Sequence, residues 1–202
     1  MSFQYITIER EYGSGGTNIA RRLAEACGKA CYGEEILEAV AQKLDISVEQ
    51  IQSYEESVSN SFLYTAFMMR RAQEGNADML SGEGHIFVAE QQQIKHLAAS
   101  GPAIFIGHCA SEALRDRSVV KVFIRCSDSE QKAKRIAEDY GIDPKRVDSV
   151  RNRYDSKRAK YYYANTTQKW EDLKNYDIVL DSAKLGIDGC VNALKGILQN
   201  DN

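Results

Sequence analysis

Phe3-Gln4-Tyr5-Ile6-Thr7-Ile8, then Gly13-Ser14-Gly15-Gly16, then Thr17-Asn18-Ile19-Ala20-Arg21-Arg22-Leu23-Ala24 decide the reading of this chain. The first run is short, apolar and β-branched, which suits a strand. The last spaces Ile19, Ala20, Leu23 and Ala24 at helical intervals. A glycine-rich turn between them ends on a helix N-terminus. Its backbone N–H groups point outward, and the helix dipole favours negative charge. The order strand, glycine turn, helix therefore points to a bound phosphate, and so to a nucleotide. The same residues also suit a tight strand-to-helix turn with no ligand.

The phosphate-binding P-loop reads G-x-x-x-x-G-K-[ST]. Aligned on Gly15 and Thr17, this chain carries Arg10 at the first glycine and Gly16 at the lysine. The backbone cradle of Gly13, Ser14, Gly15, Gly16 and Thr17 is kept, as is the hydroxyl that faces magnesium, on Thr17. The lysine that reaches the terminal phosphates is absent. Arg10 and Arg21 are the cations near enough in sequence to replace it, though neither stands at the lysine's position.

Length and composition suit one domain with an inserted helical piece: 202 residues, 43% hydrophobic and 27% charged. A net charge of −3 gives no global bias toward nucleic acid or membrane, so an anion site must be a local cluster of Arg and Lys. No apolar run approaches the ~18 residues that span a bilayer, and no secretory signal is seen at the N-terminus. The five cysteines, Cys27, Cys31, Cys109, Cys126 and Cys190, form no C-x-x-C pair, and they read as reduced thiols of a cytoplasmic protein. Cys27 and Cys31 have no partner His or second pair from which to build a metal site.

Strand-like runs occur at Tyr5 to Ile8, Ala103 to Ile106, Val119 to Ile124 and Asp177 to Leu180, with a weaker one at Ala30 to Tyr32. Continuous apolar runs suit strands buried on both faces, as in a parallel sheet. Helical patterns alternate with them at Asn18 to Cys27, Glu34 to Leu44, Cys109 to Leu114, Ser129 to Asp139 and Gly186 to Leu198, the signature of an α/β fold. The segment from about 47 to 100 breaks the rhythm: it is polar, helical in pattern and strandless, with a loose stretch from Gly75 to Gly84. It is expected to be a helical insertion over one edge of the sheet, serving as a lid, a substrate clamp or a dimer face.

A second constellation lies in the charged helical pattern from Asp143 to Tyr163. Arg151, Asp155 and Arg158 stand at i, i+4 and i+7 and share a face. Two guanidiniums flanking a carboxylate suit phosphate oxygens and a hydroxyl. Taken alone, such a face also suits plain solvation with weak ion pairs. Arg153 and Lys157 lie on another face. Asp181, at the end of the last strand, reads as a strand-end cap rather than a metal-side carboxylate. Tyr161, Tyr162, Tyr163 and Trp170 read as packing rather than base stacking, and His85 and His96 as ordinary polar residues.

Taken together, the chain resembles a nucleoside monophosphate kinase, most closely the cytidylate kinase-like group. The resemblance is carried by Ile6-Thr7-Ile8-Glu9 leading into Gly13-Ser14-Gly15-Gly16, by Ile106-Gly107-His108-Cys109-Ala110, by Val122-Phe123-Ile124-Arg125, and above all by the Arg-x-x-x-Asp-Ser-x-Arg spacing from Arg151 to Arg158. It runs from Ile6 to about Leu198. It implies a P-loop NTPase-type three-layer α/β sandwich with about five parallel strands, a helical insertion that binds the acceptor, and a lid-like segment at about 139–165. It implies ATP and Mg2+, with Thr17 as metal ligand. It gives Arg151 and Arg158, with Arg10, the catalytic contacts to phosphate. Asp155, Arg153 and His108 fall on the acceptor side. His108 replaces the arginine by which the family holds the acceptor phosphate; its charge depends on pH.

The expected activity is transfer of the γ-phosphoryl of ATP to a small acceptor such as CMP. Set against it are a nucleotide- or anion-binding protein without transfer, and an interaction module that binds no nucleotide. Expected partners are a nucleotide or another small phosphorylated substrate, with a homodimer built on the insertion and no nucleic acid or membrane.

Overall fold

The computed structural model describes residues 3–52 and 82–198. Among them, five strands form one sheet: β1 (Tyr5–Arg10), β2 (Ala30–Tyr32), β3 (Ala103–Ile106), β4 (Val119–Arg125) and β5 (Ile178–Asp181). All neighbours pair in parallel, in the order β2-β3-β1-β4-β5. β1 is central, with Ile6 opposite Ile104 and Val120, and Ile8 opposite Ile106 and Val122.

Side chains two apart along a strand share a face, so all of these residues point the same way. Ile6, Ile8, Ile104, Ile106, Val122 and Ile124 pack under α1 (Gly16–Cys27) and α7 (Ser182–Leu198), against Ile19, Leu23, Cys190 and Leu194. Tyr5 and Phe105 face the other way, toward Ile36 of α2 (Glu34–Leu44), Ile94 of α3 (Gly82–Ala99) and Leu114 just past α4 (Ala110–Ala113). Helices on both faces of a parallel sheet make the expected three-layer α/β sandwich. Farther along, α5 (Ser129–Tyr140) is N-capped by Asp128, whose Oδ1 accepts from the amides of Glu130 and Gln131. A 3₁₀ turn at Pro144–Arg146 then leads into α6 (Val147–Thr166), so the stretch at about 139–165 holds the end of α5, the proline turn and nearly all of α6.

Of the insertion expected at 47–100, residues 53–81 lie outside the described residues, and so does most of the loose stretch from Gly75. The stretch expected to be loose includes Gly82 and Gly84, yet both stand in α3. Burial overrides their poor helix propensity. Ile86 and Ala89 of α3 pack on Leu37 and Val40 of α2, and Ile94 and Ala98 on Ile36 and Phe105. All five cysteines are free thiols; Cys109, Cys126 and Cys190 are buried. Among the described residues no His, Cys, Asp and Glu cluster could hold a metal, and no helix is long and apolar enough to cross a membrane.

Asp181 ties the end of β5 to β4. Its carboxylate accepts from the amides of Ser127 (3.0 Å) and Ala183 (3.1 Å) and faces Arg125 (3.3 Å). Burial raises its pKa, but these bonds outweigh burial and hold it down at about 2. A depressed acid stabilises the fold above its unfolded value of roughly 3.9, and that stabilisation fades as pH falls toward the folded value. Asp181→Asn is therefore expected to melt a few degrees below wild type at pH 7. The gap should close progressively between about pH 4 and pH 2. A melting-temperature gap that is the same at pH 7 and pH 2.5 would assign the effect to packing instead of charge.

Candidate functional site

The glycine loop leaves β1 at its carboxyl end, where ligands of open α/β sheets bind. Gly13 and Gly15 take left-handed backbones, with φ of 77° and 78°. Space as well as conformation requires glycine there. A Cβ on Gly13 would lie 2.6 Å from Ile136 Cγ1, and one on Gly15 2.5 Å from Ile187 Cδ1. The first backbone bond of α1 runs from Ile19 N to Gly15 O (2.9 Å), so the amides of Thr17 and Asn18 precede any intrahelical acceptor. Ser14 N donates to Glu11 O (3.2 Å), and Gly16 N to Ser14 Oγ (3.3 Å). The open donors of the loop are thus those around Gly15 and Thr17, at the positive end of the helix dipole. Thr17 is half-buried in the first turn.

Several side chains hold this loop rigid from the outside. Asp155 Oδ1 accepts from Tyr12 N at 2.7 Å. The Ser14 carbonyl accepts from Ser182 Oγ (2.7 Å) and from Arg135 Nη1 (3.3 Å). Glu11 Oε2 accepts from Lys132 Nζ (2.7 Å) and Cys126 N (2.8 Å). Sequence reasoning missed Lys132 and Arg135. The signal was present: with Ile136 they stand at i, i+3 and i+4 of α5, one face. Lys132 brings a lysine beside Gly13, but Glu11 neutralises it.

Tyr12 lies in the middle of an aromatic stack, with Tyr154 at 4.5 Å and Tyr140 at 4.8 Å between ring centroids. The Arg158 guanidinium sits 5.6 Å over the Tyr12 ring. Burial, then the neighbouring tyrosines, push the Tyr12 hydroxyl up to about 12, so it stays protonated at neutral pH.

The sequence-derived site residues divide into two groups. Arg10, Arg158, Asp155 and the loop Gly13 to Thr17 come together. Arg158 Nη1 donates to Arg10 O (2.9 Å) and lies 3.7 Å from Asp155 Oδ1. Burial raises the Asp155 carboxyl above its usual range, against the pull of the Tyr12 amide and Arg158. Arg151 is instead turned back one helical turn onto Asp148 (3.2 Å), and Arg153 is exposed, stacked over Tyr154 at 5.3 Å. Arg21 is exposed, and its charge acts on Cys31 and Glu35.

Beyond β3, Gly107, His108 and Cys109 all have positive φ (72°, 56° and 50°). The tight turn aims His108 at α3, where its Nδ1 lies 3.9 Å from the buried Glu90 Oε1. Tyr161 of α6 donates to Glu90, and Gln91 Nε2 donates to His108 O at 3.0 Å. Glu90 was not singled out in the sequence, where one carboxylate in a polar helix carries no mark. Trp170 is buried, its Nε1 donating to Glu9 Oε2 (3.1 Å), and Tyr162 is buried, so both serve packing. Asp181 is the strand-end cap already described.

A central β1 between β3 and β4, with a glycine loop running from its carboxyl end into α1, is the architecture of P-loop kinases. A shikimate kinase from Bacteroides thetaiotaomicron shares the fold with TM-score 0.56 at 12% identity, over 98% of this chain and 99% of that one. An uncharacterized protein from Eubacterium ventriosum superposes with TM-score 0.71 at 24% identity, over 97% and 98% of the two chains. The chain belongs to the cytidylate kinase-like family, which it matches over residues 5–184. A cytidylate kinase from Methanopyrus kandleri is 29% identical over 197 residues, 96% of this chain and 92% of that protein.

Proposed function

We propose that this protein transfers the γ-phosphoryl group of Mg-ATP to a small phosphorylated acceptor, with CMP or a related nucleoside monophosphate as the acceptor class. The observation that carries this reading is the convergence at one sheet edge of open loop amides, Arg10 and Arg158. Phosphoryl transfer asks little covalent chemistry of a protein. It asks for positioning and for cations around the transferring group. The amides near Gly15 and Thr17 hold the phosphate chain, and the two guanidiniums offset its charge. Magnesium bound with the nucleotide would supply further charge neutralisation, and the Thr17 hydroxyl, at the P-loop position for it, would help to hold it. CMP is favoured because the Methanopyrus kandleri relative is a cytidylate kinase.

One observation favours a second reading, nucleotide binding without transfer: Gly16 stands where the lysine is expected. The test separates the two. Mg-ATP is expected to raise the melting temperature, since a ligand selective for the native state stabilises it. Incubation with a panel of nucleoside monophosphates should then release ADP, fastest with CMP. A thermal shift without ADP formation selects the second reading. No shift at millimolar Mg-ATP excludes both.

A further inference from the structure

We infer that Arg10 replaces the P-loop lysine, reaching the terminal phosphates from the position of the motif's first glycine. The inference deepens the kinase reading and rests on it for the location of those phosphates. Two departures from the motif, a side chain gained at position 10 and one lost at position 16, are a single exchange in space. A Cβ on Gly16 would lie 2.5 Å from Arg10 Cβ and 2.9 Å from Arg10 Cγ. The stem of Arg10 therefore fills the space into which a lysine at 16 would start. Glycine at 16 is what lets the arginine pass.

The far end of the side chain is equally constrained. Arg10 Nη1 lies 2.5 Å from where a Cβ of Gly107 would be. Glycine at 107, also left-handed, makes room for the guanidinium between the carboxyl ends of β1 and β3. Its Nε is buried with no hydrogen-bond partner. Arg10 forms no ion pair among the described residues, although Glu9 and Glu34 act on it at longer range. Glu9 is already bonded to Trp170. The other close cation is Arg158, which donates to the Arg10 carbonyl. Burial, then Arg158, lowers the Arg10 guanidinium to about 10, so it stays charged at neutral pH. A half-buried guanidinium whose Nε is buried, with no ion-pair partner among the described residues and a second cation nearby, is costly to hold. An anion between the two guanidiniums removes that cost, and a polyphosphate on the adjoining glycine loop supplies one.

The exchange can be reversed in the laboratory. Binding of Mg-ATP and of inorganic tripolyphosphate is measured by calorimetry on wild type, Arg10→Ala, Arg10→Gly, Gly16→Lys and the double variant Arg10→Gly/Gly16→Lys. Arg10→Ala is expected to weaken both ligands roughly 10- to 100-fold, the scale of one charge-assisted contact. Gly16→Lys alone should also weaken binding, because its stem collides with Arg10. The double variant, which restores the usual motif, should bind at least tenfold tighter than Arg10→Gly. Should Arg10→Ala fail to fold, Arg10→Gln keeps the stem and removes the charge.

Wild-type affinity in a folded Arg10→Ala or Arg10→Gln protein would overturn the inference. So would a double variant no better than Arg10→Gly. If those variants still release ADP at the wild-type rate, Arg10 is excluded and the kinase reading survives. If tripolyphosphate binding depends on Arg10 but no acceptor receives phosphate, the inference stands and the kinase reading falls.

Discussion

Replacing Arg158 by alanine is expected to lower phosphoryl transfer by roughly 10²- to 10³-fold, the loss typical of removing one preorganised donor from a charged transition state. The guanidinium is held rather than floating. It donates to the Arg10 carbonyl, lies over the Tyr12 ring and faces Asp155. These contacts use few of its five N–H donors, so most remain for phosphate oxygens. Melting temperature should drop only by a few degrees, because one hydrogen bond and one long, mostly buried ion pair are lost. Arg158→Lys should fall between the two, since an ammonium keeps the charge without the planar fork. Arg151→Ala should cost less transfer than Arg158→Ala, because its guanidinium is engaged with Asp148 at 3.2 Å. The measurement is ADP release at saturating Mg-ATP. Transfer within threefold of wild type in Arg158→Ala, together with a large loss of stability, would make α6 a brace for the loop and nothing more.

Trp170→Ala should produce the largest loss of stability, about 3–5 kcal/mol for a fully buried indole. Trp170 packs edge-on against Phe123 of β4 at 5.2 Å, and its Nε1 is the partner of Glu9. Truncation opens a cavity and also leaves a carboxylate oxygen buried without its donor. For a chain of this length the melting temperature should fall by roughly 6–20 °C. Combining Trp170→Ala with Glu9→Leu should cost less than the sum of the two single changes, because the stranded carboxylate disappears with its partner. Strict additivity would show that the Glu9 bond contributes nothing.

The sheet could be read from the chain because its central strands β1 and β3 are buried on both faces and so are largely apolar, whereas the edge strands β2 and β5 are only partly buried. β5 was displaced by one residue, since Asp181 belongs to the strand that it caps. The glycine loop was equally legible, because left-handed backbone at Gly13 and Gly15 demands that residue type. What the sequence hid was pairing at a distance. The face shared by Arg151, Asp155 and Arg158 follows from helical spacing, yet spacing says nothing about which partner each residue meets. Asp155 meets Tyr12 N, 143 positions earlier, and Arg151 meets its own helix. For the same reason the sequence offers both Arg10 and Arg21 as stand-ins for the lysine and cannot choose between them. Only the approach of the Arg10 stem to Gly16 ties the side chain gained at position 10 to the one lost at position 16.

The strand order has a consequence for how the protein is made. β1 and its glycine loop are made before the other strands of the sheet, yet the neighbours of β1 are β3 and β4, which begin at residues 103 and 119. At 5–20 residues per second, synthesis reaches the second of these neighbours on the order of ten seconds after the loop. Until β3 is made both edges of β1 are unpaired, and one stays so until β4 follows, an invitation to pair with another nascent chain. The segment that defines the site is thus translated ahead of the rest of the sheet and is among the last parts of it to be secured. Its folding should be slow for a domain of this size, because so many of its contacts join distant parts of the chain.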